Sequence, residues 1–291
     1  MSSEEKGRIL STQPETKKIP ILEYHSISDH ATPQFKPFTL SPTVFAEHVA
    51  YLHQHGYTPI TVGQYMNARS QGGSVSSALP ERPVVITFDD GYSDFFTAAF
   101  PVLKRYGFTA TVFVLTAFVN GTGLWMRRIG EATRPMLTWD QLAAISASGI
   151  ECGGHSHSHP QLDTLPLEVA RDEIVRCKRL LEDRLGQEIT SFAYPYGFHN
   201  ATTKRLVKQA AYTSACAGKH RMCTVTTDPF ALTRLEIDVN TRVNDLAALL
   251  TRRNPPAVKA MGRDALVPMY RVVRRFSAAV RRYPQGETLA R

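Results

Sequence analysis

The stretch "PVVITFDDG", residues 83–91, is a β-branched apolar run that stops at two adjacent aspartates and a glycine. Its length and lack of polar alternation predict a short strand covered on both faces. Runs of the same kind recur on either side: "KIPILEYH" (18–25), "TATVFVLT" (109–116), "IECGG" (150–154), "ITSFAYPYG" (189–197), "YTSACA" (212–217) and "LTRLEIDV" (232–239). Helical periodicity fills the intervals. In "SPTVFAEHVAYLHQHG" (41–56), Ser41 is placed to cap and Pro42 to start a helix, Phe45, Val49 and Leu52 form its apolar face, and Gly56 ends it. Further helices are predicted in 93–107, with a kink at Pro101, and in 138–149, 165–186 and 200–211. The stretch "QGGSVSSALPERP" (71–83) reads as a loop. Strand alternating with helix predicts an α/β fold on a parallel sheet. An open doubly wound sheet and a closed barrel both fit this pattern.

Composition narrows the class. Of 291 residues, 43% are hydrophobic and 21% charged, which excludes a disordered chain. Cys152, Cys177, Cys216 and Cys223 are too sparse for a disulfide framework or a zinc knuckle, so reduced thiols are the simplest reading. The opening "MSSEEKGRILSTQPETKK" has no apolar core of a signal peptide, and no run reaches the length of a membrane span. A cytoplasmic or membrane-peripheral protein is expected. The net charge of +8 is unevenly placed: residues 242–291 hold eleven basic and three acidic side chains, which is the whole excess. We therefore expect a flexible segment at 1–17, a catalytic body at 18–241 and a basic, helical extension at 242–291. Within the extension, "VPMYRVVRRFSAAVRRYP" (267–284) sets apolar residues near one helical face and arginines mostly elsewhere. Such a helix either packs on the body or meets anionic lipid headgroups. Nucleic acid is not expected, because no binding module accompanies the charge. Oligomeric state is not readable.

Three polar clusters, "TFDD", "HSHSH" and "YPYG", each directly follow a predicted strand. In a parallel sheet all strand C-termini lie on one edge, where α/β sites are built. Asp89 and Asp90 repel each other if both are buried, and a divalent cation that takes one as ligand leaves the other as a base. The plain alternative is a surface Asp-Asp-Gly turn. His155 and His159, spaced i and i+4, combine with an aspartate into a His₂Asp set suited to zinc and other first-row divalent ions. A solvated polar loop is the competing reading there. His157 fits a ligand, a supporting group or a solvated side chain, and ranks below the other two. "FAYPYG" is either a rigid loop on the core or a groove wall with a backbone N–H facing substrate.

Taken together, these motifs resemble the polysaccharide deacetylase family, carbohydrate esterase family four. TFDD stands at Thr87–Asp90, the H-[ST]-x-x-H motif at His155–His159, and a third motif at Ala193–Gly197, in the family's order. "ILEYHSI" and "WDQLAAISASG" look like the branch that deacetylates poly-N-acetylglucosamine. The resemblance implies a distorted (β/α) barrel with fewer than eight complete units, carrying here a basic helical C-terminal tail. It implies metal-dependent hydrolysis of N-acetyl groups on an N-acetylated saccharide. Asp90, His155 and His159 match the metal ligands, for zinc foremost, with cobalt or nickel also compatible. Asp89 matches the catalytic base and the Tyr196 backbone N–H the oxyanion donor. Two departures stand out. The motif arginine is Ala193, with Arg234 as candidate replacement for orienting the base. The late Leu-x-His motif is absent, with His25 as candidate general acid. Relatives that cleave other C–N linkages, by deformylation or cyclic-amide opening, and a catalytically silent carbohydrate-binding domain are the alternatives.

Overall fold

The computed structural model describes residues 18–70, 78–218 and 220–251. The expected flexible segment 1–17, most of the 71–83 loop and the basic helix at 267–284 lie outside the described residues.

Eight short parallel pairings build the body. Its strands are β1 (Ile21–Tyr24), β2 (Thr58–Ile60), β3 (Pro83–Phe88), β4 (Thr111–Val114), β5 (Glu151–Gly154), β6 (Ser191–Ala193), β7 (Ser214–Ala217), β8 (Leu232–Thr233) and β9 (Leu235–Glu236). They are hydrogen-bonded in the order β8-β7-β6-β5-β4-β3-β1-β9. Only Arg234 separates β8, which pairs with β7, from β9, which pairs with β1. One stretch of chain therefore closes the sheet into a barrel. Val85 pairs with Ile21 on one edge and Ile60 on the other, so β2 is wedged beside the first half of β3. Beyond it, Thr87 and Phe88 pair with β4 on that same edge. This is the expected incomplete (β/α) barrel.

Alternation along each strand sorts the side chains. Leu22, Tyr24, Val84, Ile86, Phe88, Val112 and Val114 face outward into the layer of helices. Ile21, Val85, Phe113, Ala193, Cys216 and Leu232 fill the interior. Each fully buried aliphatic contributes about 1.5–3 kcal/mol. Gly153 belongs to the inner set, and a Cβ there would lie 2.7 Å from the Phe113 ring, which explains the glycine in "IECGG".

The helices are α1 (Pro42–Gln54), α2 (Val62–Ser70), α3 (Phe100–Arg105), α4 (Trp139–Ala147), α5 (Leu167–Leu185), α6 (Ala201–Gln209) and α7 (Val243–Thr251). Ser41 caps α1 through Val44 N, and capping boxes Thr138/Gln141 and Asn200/Thr203 open α4 and α6. The predicted kink at Pro101 is a wide π turn over Phe95–Ala99 leading into α3, since proline has no N–H to continue a regular ladder. β2 and α2 were not foreseen. α2 has polar and apolar residues on all sides, because its Val62 and Tyr65 plug the barrel floor rather than an outer face. Its first N–H groups, Val62 and Gly63, donate to Thr111 Oγ1 and Glu151 Oε2, each at 3.0 Å, so an inward carboxylate meets the positive end of the helix.

The described part of the basic extension, α7, packs Leu246 and Leu250 into the outer core beside α1. His48 of α1 locks this region. Its Nε2–H donates to the Thr241 carbonyl at 3.0 Å, and Nδ1 is 3.1 Å from the Tyr24 hydroxyl. Burial outweighs these contacts and lowers the His48 pKa from 6.5 to about 4. The folded state therefore binds fewer protons than the unfolded state, and stability is lost as pH falls from about 6.5 toward 4. Thermal unfolding across that range should show a smaller fall in Tm with acidification for His48→Gln than for the unaltered chain; equal slopes would remove His48 from the account.

Candidate metal and catalytic centre

At the end of β3 two adjacent aspartates reach one site by a change of backbone conformation. Asp89 continues the inward alternation of Val85 and Thr87. Asp90 then takes a left-handed φ of 74°, followed by Gly91 at 77°, which turns its side chain toward the same mouth. The histidine loop uses the same device at Ser156 and His159, with φ of 71° and 64°. Ser156 Oγ accepts from His159 N at 3.0 Å, and Glu173 of α5 accepts from Ser158 N and Oγ at 2.7 and 2.6 Å. These bonds hold a backbone that non-glycine residues adopt rarely.

The result is a compact donor set. Asp90 Oδ1 lies 3.3 Å from His155 Nε2 and 3.3 Å from His159 Nε2. His155 Nδ1 sits 2.8 Å from the Ala193 carbonyl, which can only accept, so Nδ1 carries a proton and Nε2 faces Asp90. The Tyr92 hydroxyl donates to Asp90 Oδ2 at 2.7 Å, which leaves Oδ1 turned to the imidazoles. Asp90 Oδ1 and His159 Nδ1 are buried without a hydrogen-bond partner. An orphaned carboxylate oxygen between two imidazole nitrogens is the arrangement a divalent cation would satisfy, and one ligand atom each of Asp90, His155 and His159 lies within 4.8 Å of the others. His157 is not in this set; its Nδ1 is 2.9 Å from Thr116 Oγ1.

Asp89 is held differently. Arg234 donates to both its oxygens, at 2.7 and 2.8 Å, and to Thr87 Oγ1 at 3.2 Å. Burial alone would raise the Asp89 pKa; the Arg234 guanidinium and then His155 outweigh it and keep the group ionised below the usual range. Burial likewise opposes ionisation of Asp90, and His159 and His155 drive its pKa down. His155 is disfavoured as a cation by burial, yet Asp89 and Asp90 together raise its pKa. His159, with burial foremost and only partly offset by Asp90, falls to about 4. The pocket thus attracts positive charge.

The remaining candidates surround this centre. His25, at the end of β1, has a ring nitrogen within 4.8 Å of ligand atoms on both Asp89 and Glu23, and its ring packs edge-on against Phe38. Tyr196 has a φ of 60°, and its exposed ring lies 4.5 Å from that of His159. Three participants escaped sequence reading. Trp125, 5.8 Å from the His159 ring and stacked 6.1 Å from Tyr92, is revealed only by tertiary proximity, and Tyr92 is the local hydroxyl that bonds Asp90. Glu23 did carry a signal, as a lone acid in an apolar strand two residues before His25.

The sequence profile described as polysaccharide deacetylase matches residues 76–215. YxkH of Bacillus subtilis (strain 168), named as a polysaccharide deacetylase, is 30% identical over 217 residues, 75% of this chain and 67% of YxkH. The chain belongs to the polysaccharide deacetylase family. Poly-beta-1,6-N-acetyl-D-glucosamine N-deacetylase of Escherichia coli (strain K12) is 28% identical over 143 residues, which is 47% of this chain but 20% of that protein. The structure of Streptococcus pyogenes deacetylase PplD in complex with acetate matches with a TM-score of 0.69 at 26% identity, covering 81% of this chain and 100% of PplD. IcaB from Ammonifex degensii, at 23% identity and a TM-score of 0.68 over 81% of this chain and 97% of its own, shares the fold. Among the described residues of this polysaccharide deacetylase, no helix is long and apolar enough to cross a membrane.

Arg234→Ala strips a buried carboxylate of its bidentate partner. Urea unfolding should show a loss of about 3–5 kcal/mol, the range for breaking one side of a buried ion pair. A loss under about 1 kcal/mol would mean that the pair is not a structural tie.

Proposed function

We propose that this polysaccharide deacetylase is a divalent-metal-dependent N-deacetylase that hydrolyses acetamido groups on an N-acetylated aminosugar chain, with zinc as the first candidate ion. The observation that carries the reading is the partnerless Asp90 Oδ1, 3.3 Å from two imidazole nitrogens, beside an ionised aspartate held by an arginine. The E. coli relative, by its name, deacetylates poly-beta-1,6-N-acetyl-D-glucosamine, and acetate is the molecule named with PplD; both support the substrate class.

Asp90, His155 and His159 would hold the ion, which when bound supplies Lewis acidity toward water and toward an acetamide oxygen. Asp89 takes the proton of the attacking water. Arg234 holds both Asp89 oxygens in place and keeps the carboxylate ionised before the step. The backbone N–H of Tyr196 donates to the carbonyl oxygen as it gains charge. His25 protonates the nitrogen as the C–N bond breaks, because an amine departs poorly without a proton. The exposed rings of Phe38 and Tyr196 give sugar faces an apolar surface at the two ends of this constellation.

Acetate release from N-acetylglucosamine oligomers, measured with metal content, tests the assignment. Asp90→Ala and His155→Ala should lose bound ion and activity together. Asp89→Asn should keep the ion and lose at least about 100-fold in turnover. Full turnover in Asp89→Asn removes the base assignment, and activity undiminished by chelation removes the metal.

A further inference from the structure

Tyr92 belongs neither to the metal set nor to the acid–base pair, yet it is 1% exposed and directs its hydroxyl at Asp90. Its place is fixed by parts of the chain far from the motif. Tyr92 forms an antiparallel bridge with Met136, Ser93 N donates to the Pro135 carbonyl at 3.0 Å, and Leu137 N donates to the Gly91 carbonyl at 2.9 Å. The ring meets Phe35 edge-on, with centroids 5.5 Å apart, and stacks with Trp125. The Arg134 guanidinium lies over the Phe35 and Tyr92 rings, 4.5 and 5.8 Å from their centroids. Arg134 is itself tied to Glu131 at 3.0 Å and donates to the His30 carbonyl at 2.7 Å. A phenol packed this closely has little freedom to move its oxygen.

That hydroxyl has two neighbours, Asp90 Oδ2 at 2.7 Å and Met126 Sδ at 3.3 Å. It carries one proton, and a carboxylate is a far stronger acceptor than a thioether. Oδ2 is therefore engaged, and Oδ1 is the oxygen 3.3 Å from the imidazole nitrogens of His155 and His159. A carboxylate free at both oxygens can bind a cation through one or through both. Hard, oxygen-seeking ions accept the two-oxygen mode, whereas zinc keeps a small shell of nitrogen and single-oxygen donors. A donor held on Oδ2 competes with the two-oxygen mode, and the two imidazoles complete a set that suits zinc better than manganese.

We propose that Tyr92 is a positioning residue that restricts Asp90 to one-oxygen coordination and thereby sets both the affinity of the site and its preference for zinc-like ions. The inference rests on the assignment of Asp90, His155 and His159 as metal ligands and goes beyond it in naming what selects the ion. Tyr92 touches neither ion nor substrate in this account. It acts through Asp90 alone, as the Ala193 carbonyl acts through His155.

Titration of the metal-free full chain with zinc and with manganese, against a chromophoric chelator, tests the proposal in Tyr92→Phe, which keeps the ring and deletes one oxygen. Zinc affinity should fall by about 10–100-fold, the usual effect of losing a partner that orients a metal ligand. Manganese affinity should fall less, so the ratio of the two narrows. Met126→Leu, which alters packing at the same hydroxyl and leaves its bond to Asp90, should bind zinc as the unaltered chain does. Unchanged zinc affinity in Tyr92→Phe, equal losses for both ions, or an equal loss in Met126→Leu overturns the role of Tyr92. Infrared difference spectra of the unaltered chain labelled with carbon-13 aspartate, zinc-loaded minus metal-free, need no variant to fold. They should show one carboxylate with the wide splitting of its two stretching bands that marks single-oxygen coordination; the narrow splitting of two-oxygen coordination overturns the proposal. An unaltered chain that binds no zinc sinks the metal assignment itself, whereas zinc bound equally by both proteins sinks only the part given to Tyr92.

Discussion

One guanidinium joins the last strand of the barrel to the first aspartate of its site. Arg234 lies in the single residue between β8 and β9, the step at which the sheet closes, and its side chain crosses the interior to both oxygens of Asp89 on β3. It is 1% exposed and lies over the Phe113 ring, 5.8 Å from the centroid. Burying such a pair costs desolvation on both sides, so it is a poor source of net stability. Its value is in specification. A register shift of one residue in the closing strand would turn Arg234 outward and leave Asp89 charged and alone. Barrel closure and orientation of the base are thus one constraint.

That constraint separates two chemically identical neighbours. Asp89 is committed to an arginine on both oxygens and stays ionised. Asp90 gives one oxygen to the Tyr92 hydroxyl and presents the other to two imidazoles. Extended geometry would send consecutive side chains to opposite faces. The left-handed turn at Asp90 overrides this, at a conformational cost of about 1–3 kcal/mol per strained residue. Ser156, His159 and Tyr196 carry the same strain, so four of the six non-glycine residues with positive φ among the described residues lie at this centre. The outer helices, through contacts such as Glu173 with Ser158, supply the restraint that holds these conformations.

The same logic explains the polar interior. A barrel this narrow is filled with aliphatic side chains at its floor, where α2 plugs it, and with paired charges toward the mouth. Glu151 is met by Thr111, Ser191 and the first turn of α2; Glu23 and Asp89 are met by Arg234. Glu151, Glu23 and Asp89 are each matched to donors that arrive from a different strand or helix.

Much of this was legible in the chain alone. Apolar runs ending in "TFDD", "HSHSH" and "YPYG" determine that the strands are buried and that their polar ends share an edge, because parallel strands can arrange them no other way. Capping residues such as Ser41 mark helix starts, since local hydrogen bonds need only local sequence. The motifs also nominate Asp89, Asp90, His155 and His159. The strand and helix pattern left open sheet against closed barrel undecided, a choice that only the family resemblance made; neither pattern nor resemblance gave the burial of α2 as a floor, the Tyr92 hydroxyl on Asp90, or the sharing of Arg234 between Asp89 and Glu23. Closure, the floor and the shared arginine depend on distant residues, such as Glu23 and Arg234, 211 positions apart, meeting inside a ring, and no local pattern encodes a contact whose existence follows from closure.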